Sequence, residues 1–355
     1  MITRNKKQKK MPSCSKLITI HFFSYFCNMK ERINWIDWAK AMAVCSVVFC
    51  HLPQSQEWFY YRYLQASTIT IFFFISGYLK KDRSSDLENW KKYWHGLILP
   101  YIIYNVIVYP YWLIRYYLLN GGGMPNLLTA LKPITGALLF EHEGAFAEPL
   151  NGPLWYLPAI LFMHVTIDLC RKTGHLHQIM IMLCVISFIL YAANKQWEFI
   201  HSMTPMGIFR RLPYFYIGYV MGRNGLFKDI NFKKDIIGFA YLIPISMFFF
   251  YLHLYEERTL PHVILFYPFN ICFLFGFLYA CKLLSNVWSD IITNISIGTL
   301  LIIGLHFPLI GAYNYILKIS CYEWYEALPT ALLITAILYP LIIYSKNHIP
   351  SLLGK

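Results

Sequence analysis

Lys40 and His51 stand eleven residues apart in an apolar run from Trp35 to His51, and eleven helical residues complete close to three turns. Their side chains therefore share one face, and Asp37, three residues before Lys40, joins them in a stripe of carboxylate, ammonium and imidazole. A neutral imidazole accepts a proton near physiological pH, an ammonium holds an anion, and a carboxylate orients a cation. The remaining faces of this helix carry Ala, Met, Val, Phe and Cys, and polar groups set into such a helix usually face a cavity. Arg210 and Arg211 lie about seven residues into another apolar stretch, where at least one of the two faces the interior and the other is free to snorkel. His306 sits mid-run before Phe307 and Pro308, where an imidazole serves either helix packing or a site. His164 and Asp168, four apart near the end of a span, could touch as imidazole and carboxylate but read first as interfacial residues.

The elements that must hold these groups are membrane helices. The chain is 57% hydrophobic, 18% aromatic and only 14% charged over 355 residues. A requirement of roughly 20 apolar residues per span predicts ten, near 35–54, 61–79, 97–119, 153–170, 178–194, 203–222, 236–254, 262–284, 295–317 and 328–345. Their Leu/Ile/Phe-rich runs lack the alternation of barrel strands. The expected fold is all-α and polytopic, about ten transmembrane helices in one bundle with no soluble domain.

Basic residues orient the bundle. Most of the 31 fall in alternate loops, which places both termini and the segments at 80–92 and 223–234 in the cytoplasm. The outer loops instead carry Glu57, Glu141, Glu143, Glu148, Glu198, Glu256, Glu257, Glu323 and Glu326. The net charge of +13 is thereby gathered on the cytoplasmic side, where it meets anionic lipid; no domain is present to hold nucleic acid. Residues 1–28 form a basic, then briefly apolar extension without a cleavage site, so the functional chain is expected to begin at Met29 and to run from 29 to 355.

Cys45, Cys50, Cys170, Cys184, Cys272 and Cys281 lie in or at the ends of spans and read as packing residues. Zinc motifs, phosphate loops and hydrolase elbows lack sequence support, so no metal and no bound cofactor is expected. The outer loop from Asn120 to Pro153 opens on a flexible Gly121-Gly122-Gly123 run, and Glu141-His142-Glu143 within it is a candidate cap for an outer-face site. Trp155 and Tyr156 belong either to an interfacial aromatic belt or to a surface that stacks on a sugar ring.

Six segments, in order, carry a family resemblance: Arg32-Ile33-Asn34-Trp35-Ile36-Asp37-Trp38-Ala39-Lys40 with His51 after ten intervening residues; Phe72-Phe73-Phe74-Ile75-Ser76-Gly77-Tyr78; Lys91-Lys92-Tyr93-Trp94-His95-Gly96-Leu97-Ile98-Leu99-Pro100-Tyr101; Gly152-Pro153-Leu154-Trp155-Tyr156-Leu157-Pro158-Ala159; Arg211-Leu212-Pro213-Tyr214-Phe215-Tyr216-Ile217-Gly218-Tyr219; and Leu305-His306. With these the chain resembles the integral membrane acyltransferase family 3, in its sugar O-acetyltransferase branch related to fucose 4-O-acetylases. The family often has arginine where this chain has Lys40. Many relatives carry a fused periplasmic esterase-like domain, and this chain is expected to be the membrane module alone.

The resemblance implies O-acetyl transfer from acetyl-CoA, a donor substrate, to a carbohydrate hydroxyl in a bacterial cytoplasmic (inner) membrane. Such transfer needs a base for the hydroxyl proton and donors for the oxyanion. His51 is the candidate base, or the site of a transient acyl-histidine, and Asp37 would orient Lys40. Lys40, Lys91 and Lys92 would meet anionic parts of the donor. Arg211 would stabilise charge at the thioester or acceptor oxygen, His306 would donate to or orient the acceptor hydroxyl, and Trp155, Tyr156 and Arg210 would line the acceptor. A transporter or flippase for a lipid-linked sugar is the alternative, since it too would have about ten spans and buried charge.

Overall fold

A segment in which Leu, Ile and Phe follow one another without alternation must close its backbone hydrogen bonds internally once it meets lipid, and it does so as a helix. The computed structural model describes residues 32–55, 57–82, 85–198, 200–255, 260–287 and 289–355. The extension at 1–28 and the outer-loop residues Glu256 and Glu257 lie outside them. Each predicted span has one long helix as its main counterpart: α1 (Asn34–His51), α2 (Phe59–Tyr78), α4 (Leu99–Leu119), α6 (Tyr156–Lys172), α7 (Leu176–Trp197), α8 (Met203–Arg223), α9 (Phe232–Tyr255), α10 (Leu260–Leu284), α12 (Thr299–Leu317) and α13 (Trp324–His348). Shorter helices are α3 (Asp86–Tyr93), α5 (Leu127–Leu138) and α11 (Asp290–Ile297). The described fold is all-α, and Trp35–Lys355 forms one unit.

Among the described residues, seven helical segments are long and apolar enough to cross a membrane by length and composition alone. The three long helices outside that set, α1, α2 and α8, are the ones that carry Asp37, Lys40 and His51, then Gln65 and Thr68, then Arg210 and Arg211. Polar side chains lower their hydropathy, and these helices supply the site described below.

Departures from the predicted spans have local causes. α1 stops at His51, short of the predicted 54, because Pro53 cannot continue it; Gln54 Nε2 donates 2.7 Å to the carbonyl of Phe49 and Tyr61 OH donates 3.2 Å to that of Cys50, satisfying two orphan acceptors. The ninth predicted span breaks at Gly298 into α11 and α12. α3 runs into α4 through a π-turn at Trp94–Ile98, immediately before Pro100, which has no N–H to donate. The loop at 120–152 is not merely a connector: Gly121 and Gly122 turn the chain with φ of 61° and 88°, and α5 follows, capped by Asn126, whose side chain accepts from Thr129 N at 2.8 Å.

α2 and α8 press backbone to backbone. A Cβ on Gly77 would sit 2.0 Å from the carbonyl oxygen of Phe215, and one on Gly218 would sit 2.1 Å from that of Phe74. Small residues at such a crossing allow the close packing that drives helix association in lipid. Two of the six family-like segments therefore meet each other in space, and their glycines fix the spacing at which Arg211 and Thr68 face the same cavity.

Candidate active site

His51 ends α1 with its Nδ1 2.8 Å from the carbonyl oxygen of Val47, one turn back. A carbonyl only accepts, so Nδ1 carries the proton and Nε2 holds the lone pair of the neutral ring. The same logic fixes His306, whose Nδ1 donates 2.7 Å to the carbonyl of Ile302. Its Nε2 is then an acceptor, 3.3 Å from His51 Nδ1, with ring centroids 4.9 Å apart at 68°. Phe307 closes on the His51 ring edge to face at 5.9 Å. Two histidines 255 residues apart thus form one unit: His306, fully buried, receives the N–H of His51 and holds its ring. The sequence expectation placed His306 at the acceptor hydroxyl. The structure places it behind His51, outside the cavity wall.

That wall encloses about 190 Å³ between α1, α2, α8, α12 and the turn at Gly152–Trp155. His51, Gln65, Thr68, Trp155, Tyr156 and Arg211 supply its polar and aromatic surface, with Val47, Leu64, Ile69 and Ile303 between them. Successive helical residues point about 100° apart, and the two arginines part accordingly. Arg211, 6% exposed, faces the cavity with its guanidinium 5.7 Å from the centroid of Trp155. Arg210 turns away, stacks over Tyr191 and Phe266 at 4.9 and 5.4 Å, and donates 3.2 Å to Tyr191 OH. Trp155 fits because position 207 is glycine: a Cβ there would come within 1.9 Å of the indole.

The turn that presents Trp155 and Tyr156 is anchored from two sides. Pro308 cannot donate to the carbonyl of Gly304, and Asn151 Nδ2 takes that freed acceptor at 2.8 Å. The backbone N–H groups of Leu150 and Asn151 donate to Oε2 of Glu141 at 2.9 and 3.3 Å. Glu141, expected in a loop that caps an outer-face site, is 0% exposed. Burial pushes its carboxyl up to about 7, against the two backbone N–H groups and Tyr101, which favour the charged form. Tyr101 OH donates 2.5 Å to the carbonyl of Ala137 and lies, also as a donor, 3.5 Å from Glu141 Oε1.

The other expected site residues lie elsewhere. Asp37 and Lys40 are 14 and 11 residues before His51, ~21 and ~16 Å down the helix axis. Ser296 donates 2.6 Å to the buried Asp37 carboxylate, tying α1 to α11. Lys91 and Lys92 are exposed on α3, whose Tyr93 donates 2.5 Å to Asp168 near the end of α6 remote from Trp155. Lys80 also binds Asp168, at 2.7 Å, while His164 Nε2 meets Ser76 Oγ at 2.9 Å. Asp168 is thus held by Lys80 and Tyr93, and His164 by Ser76. Of the ten expected site residues, the structure gathers His51, Arg211, Trp155 and Tyr156 at one cavity and sets His306 directly behind His51.

Thr68, Gln65 and Asn151 were not anticipated. Gln65 and Thr68 are one turn apart on α2, a spacing that could have signalled a shared polar face. Asn151 had a signal as well, since Pro308 announces a carbonyl in need of a donor.

A family model described as an acyltransferase domain matches residues 33–345 of the chain. No curated protein and no solved structure matches it.

Proposed function

Because the chain belongs to acyltransferase family 3, and so is a polytopic enzyme that transfers acyl groups, we propose that it moves an acyl group, acetyl first of all, from acyl-CoA to a hydroxyl of a carbohydrate. The acceptor would be a cell-surface polysaccharide or its lipid-linked precursor, and the setting a bacterial inner membrane with both termini cytoplasmic. The main support is the His51–His306 pair at the rim of a cavity that also holds Arg211 and Trp155.

In this scheme neutral His51 takes the acceptor hydroxyl proton on Nε2, the lone-pair nitrogen left when Nδ1 donates to Val47 and His306. The acceptor oxygen forms its bond to the thioester carbonyl carbon, and the guanidinium of Arg211 meets the developing oxyanion. The carbon–sulfur bond then breaks, and the departing thiolate recovers the proton from His51. His306 keeps the ring in its tautomer and orientation, as the third member of a nucleophile–base–orienter array does. Trp155 offers an aromatic face to the sugar ring. Lys40, Lys91 and Lys92 are the cations for the donor's anionic parts, at the end of the bundle away from His51.

The test is transfer of label from acetyl-CoA by the purified protein in lipid nanodiscs, across free oligosaccharides and lipid-linked sugars. Base-labile label on a glycan, with release of free coenzyme A thiol in equal amount, is the expected outcome. No transfer, together with movement of a lipid-linked sugar across a vesicle membrane, would overturn the proposal in favour of a transporter.

A further inference from the structure

Hydroxyl groups inside apolar helices satisfy themselves on the carbonyl one turn back. Among the described residues Ser46 donates in this way to Met42, Ser67 to Tyr63, Thr135 to Leu131, Thr166 to Phe162 and Thr335 to Ala331, at 2.7 to 3.0 Å. Thr68 departs from that habit. It is 3% exposed, sits mid-helix in α2, and its Oγ1 has no hydrogen-bond partner among the described residues. Ser345 Oγ is likewise unpartnered, but it is not among the residues that line the His51 cavity; Thr68 is. Arg211, on the same wall, has an Nε that is also buried and unpartnered.

Buried donors left unpaired cost stability, and their position in a native protein calls for a ligand group to complete them. These two converge on one small cavity with the lone-pair nitrogen of a candidate base. A hydroxyl is neutral and an arginine cationic, so together they suit an oxygen that is neutral in the ground state and charged in the transition state.

We propose that Thr68 is a catalytic residue of the acyl-transfer reaction, its Oγ–H donating, alongside the Arg211 guanidinium, to the thioester carbonyl oxygen as that oxygen becomes an oxyanion. The assignment rests on the acyl-transfer reading. As the acceptor oxygen bonds to the carbonyl carbon and passes its proton to His51, the carbonyl π pair moves onto oxygen and is held by Thr68 and Arg211. The pair returns to re-form the carbonyl as the carbon–sulfur bond breaks, and the thiolate leaves with the proton from His51. Thr68 neither gains nor loses a proton through the cycle.

Thr68→Val keeps the shape and removes the donor; Thr68→Ser keeps the donor and removes a methyl. In the purified protein, Thr68→Val is expected to lower kcat for acetyl transfer by about 10²-fold, the usual loss for one oxyanion donor, with KM for the acceptor little changed. Thr68→Ser should retain most of the rate. The pH profile of kcat should keep its shape in Thr68→Val, since the base is untouched, whereas a packing disturbance that reached His51 would shift it. Wild-type kcat in Thr68→Val overturns the assignment, as does Thr68→Ser falling as far as Thr68→Val, which would show that packing at position 68 rather than the donor sets the rate. His51→Ala separates the two levels: if it is inactive while Thr68→Val is fully active, only the role of Thr68 falls. If both variants match wild type, or wild type transfers nothing, the acyl-transfer reading falls with it.

Discussion

Asn151 Nδ2 donates 2.8 Å to the carbonyl of Gly304, an acceptor that is available because Pro308 has no N–H to fill it. Gly304 lies two residues before His306, and Asn151 lies four before Trp155. One hydrogen bond therefore joins the helix of the buried histidine to the turn that walls the cavity, and the imidazole and the aromatic surface are held in a fixed relation.

Asn151→Ala should cost roughly 0.5–2 kcal/mol in thermal unfolding of the detergent-purified protein, the range for one hydrogen bond within a membrane bundle. In a Pro308→Ala background the new N–H at 308 can bond Gly304 itself. The loss from Asn151→Ala should then shrink, and the double-mutant cycle should report a coupling of about 0.5 kcal/mol or more. Additive losses would show that the proline does not create the acceptor.

His51→Ala should insert and express while losing about 10²–10⁴-fold in acetyl transfer, the usual magnitude for a general base. His306→Ala should lose less, because it removes the group that orients the base rather than the base itself. Measured kcat values for the two variants and their double mutant should be far from additive, as for residues that act as one unit. A His306→Ala enzyme at full rate would leave the buried pair without a catalytic role.

Glu141 ties pH to the packing of the 139–151 loop. Its folded value, about 7, lies above the ordinary 4.5, so the folded state binds the proton more tightly than the unfolded one. The stabilisation is complete below about 4.5 and is lost as pH rises through about 7; a difference of this size is of order 3 kcal/mol. Melting temperature should therefore fall between those limits as pH rises, and Glu141→Gln, neutral throughout, should flatten the trend. A variant that keeps the wild-type slope would assign it to other groups.

Lys40→Ala should raise KM for acetyl-CoA by about tenfold or more, the worth of one charge-assisted contact, with a smaller effect on kcat. Lys40→Arg should retain substantial function, since the charge survives. A kcat loss equal to that of His51→Ala, at unchanged KM, would move Lys40 from donor binding to the chemistry.

The sequence by itself determined the ten long helices, because lipid leaves an apolar segment no way to satisfy its backbone other than its own helix, and that demand is local. It also singled out His51, His306, Arg211 and Trp155, since an ionisable or aromatic side chain in such surroundings is conspicuous without any knowledge of its neighbours. It did not determine which polar group meets which. Spacing on α1 joined His51 to Lys40, whereas packing joined it to His306, 255 residues away; periodicity describes one helix and carries no record of what crosses it. The burial of Glu141, the parting of Arg210 from Arg211 and the unpaired hydroxyl of Thr68 were decided in the same way. Each depends on where a neighbouring backbone comes close enough to exclude water or withhold a partner, and that is fixed only when glycine-faced helices such as α2 and α8 meet.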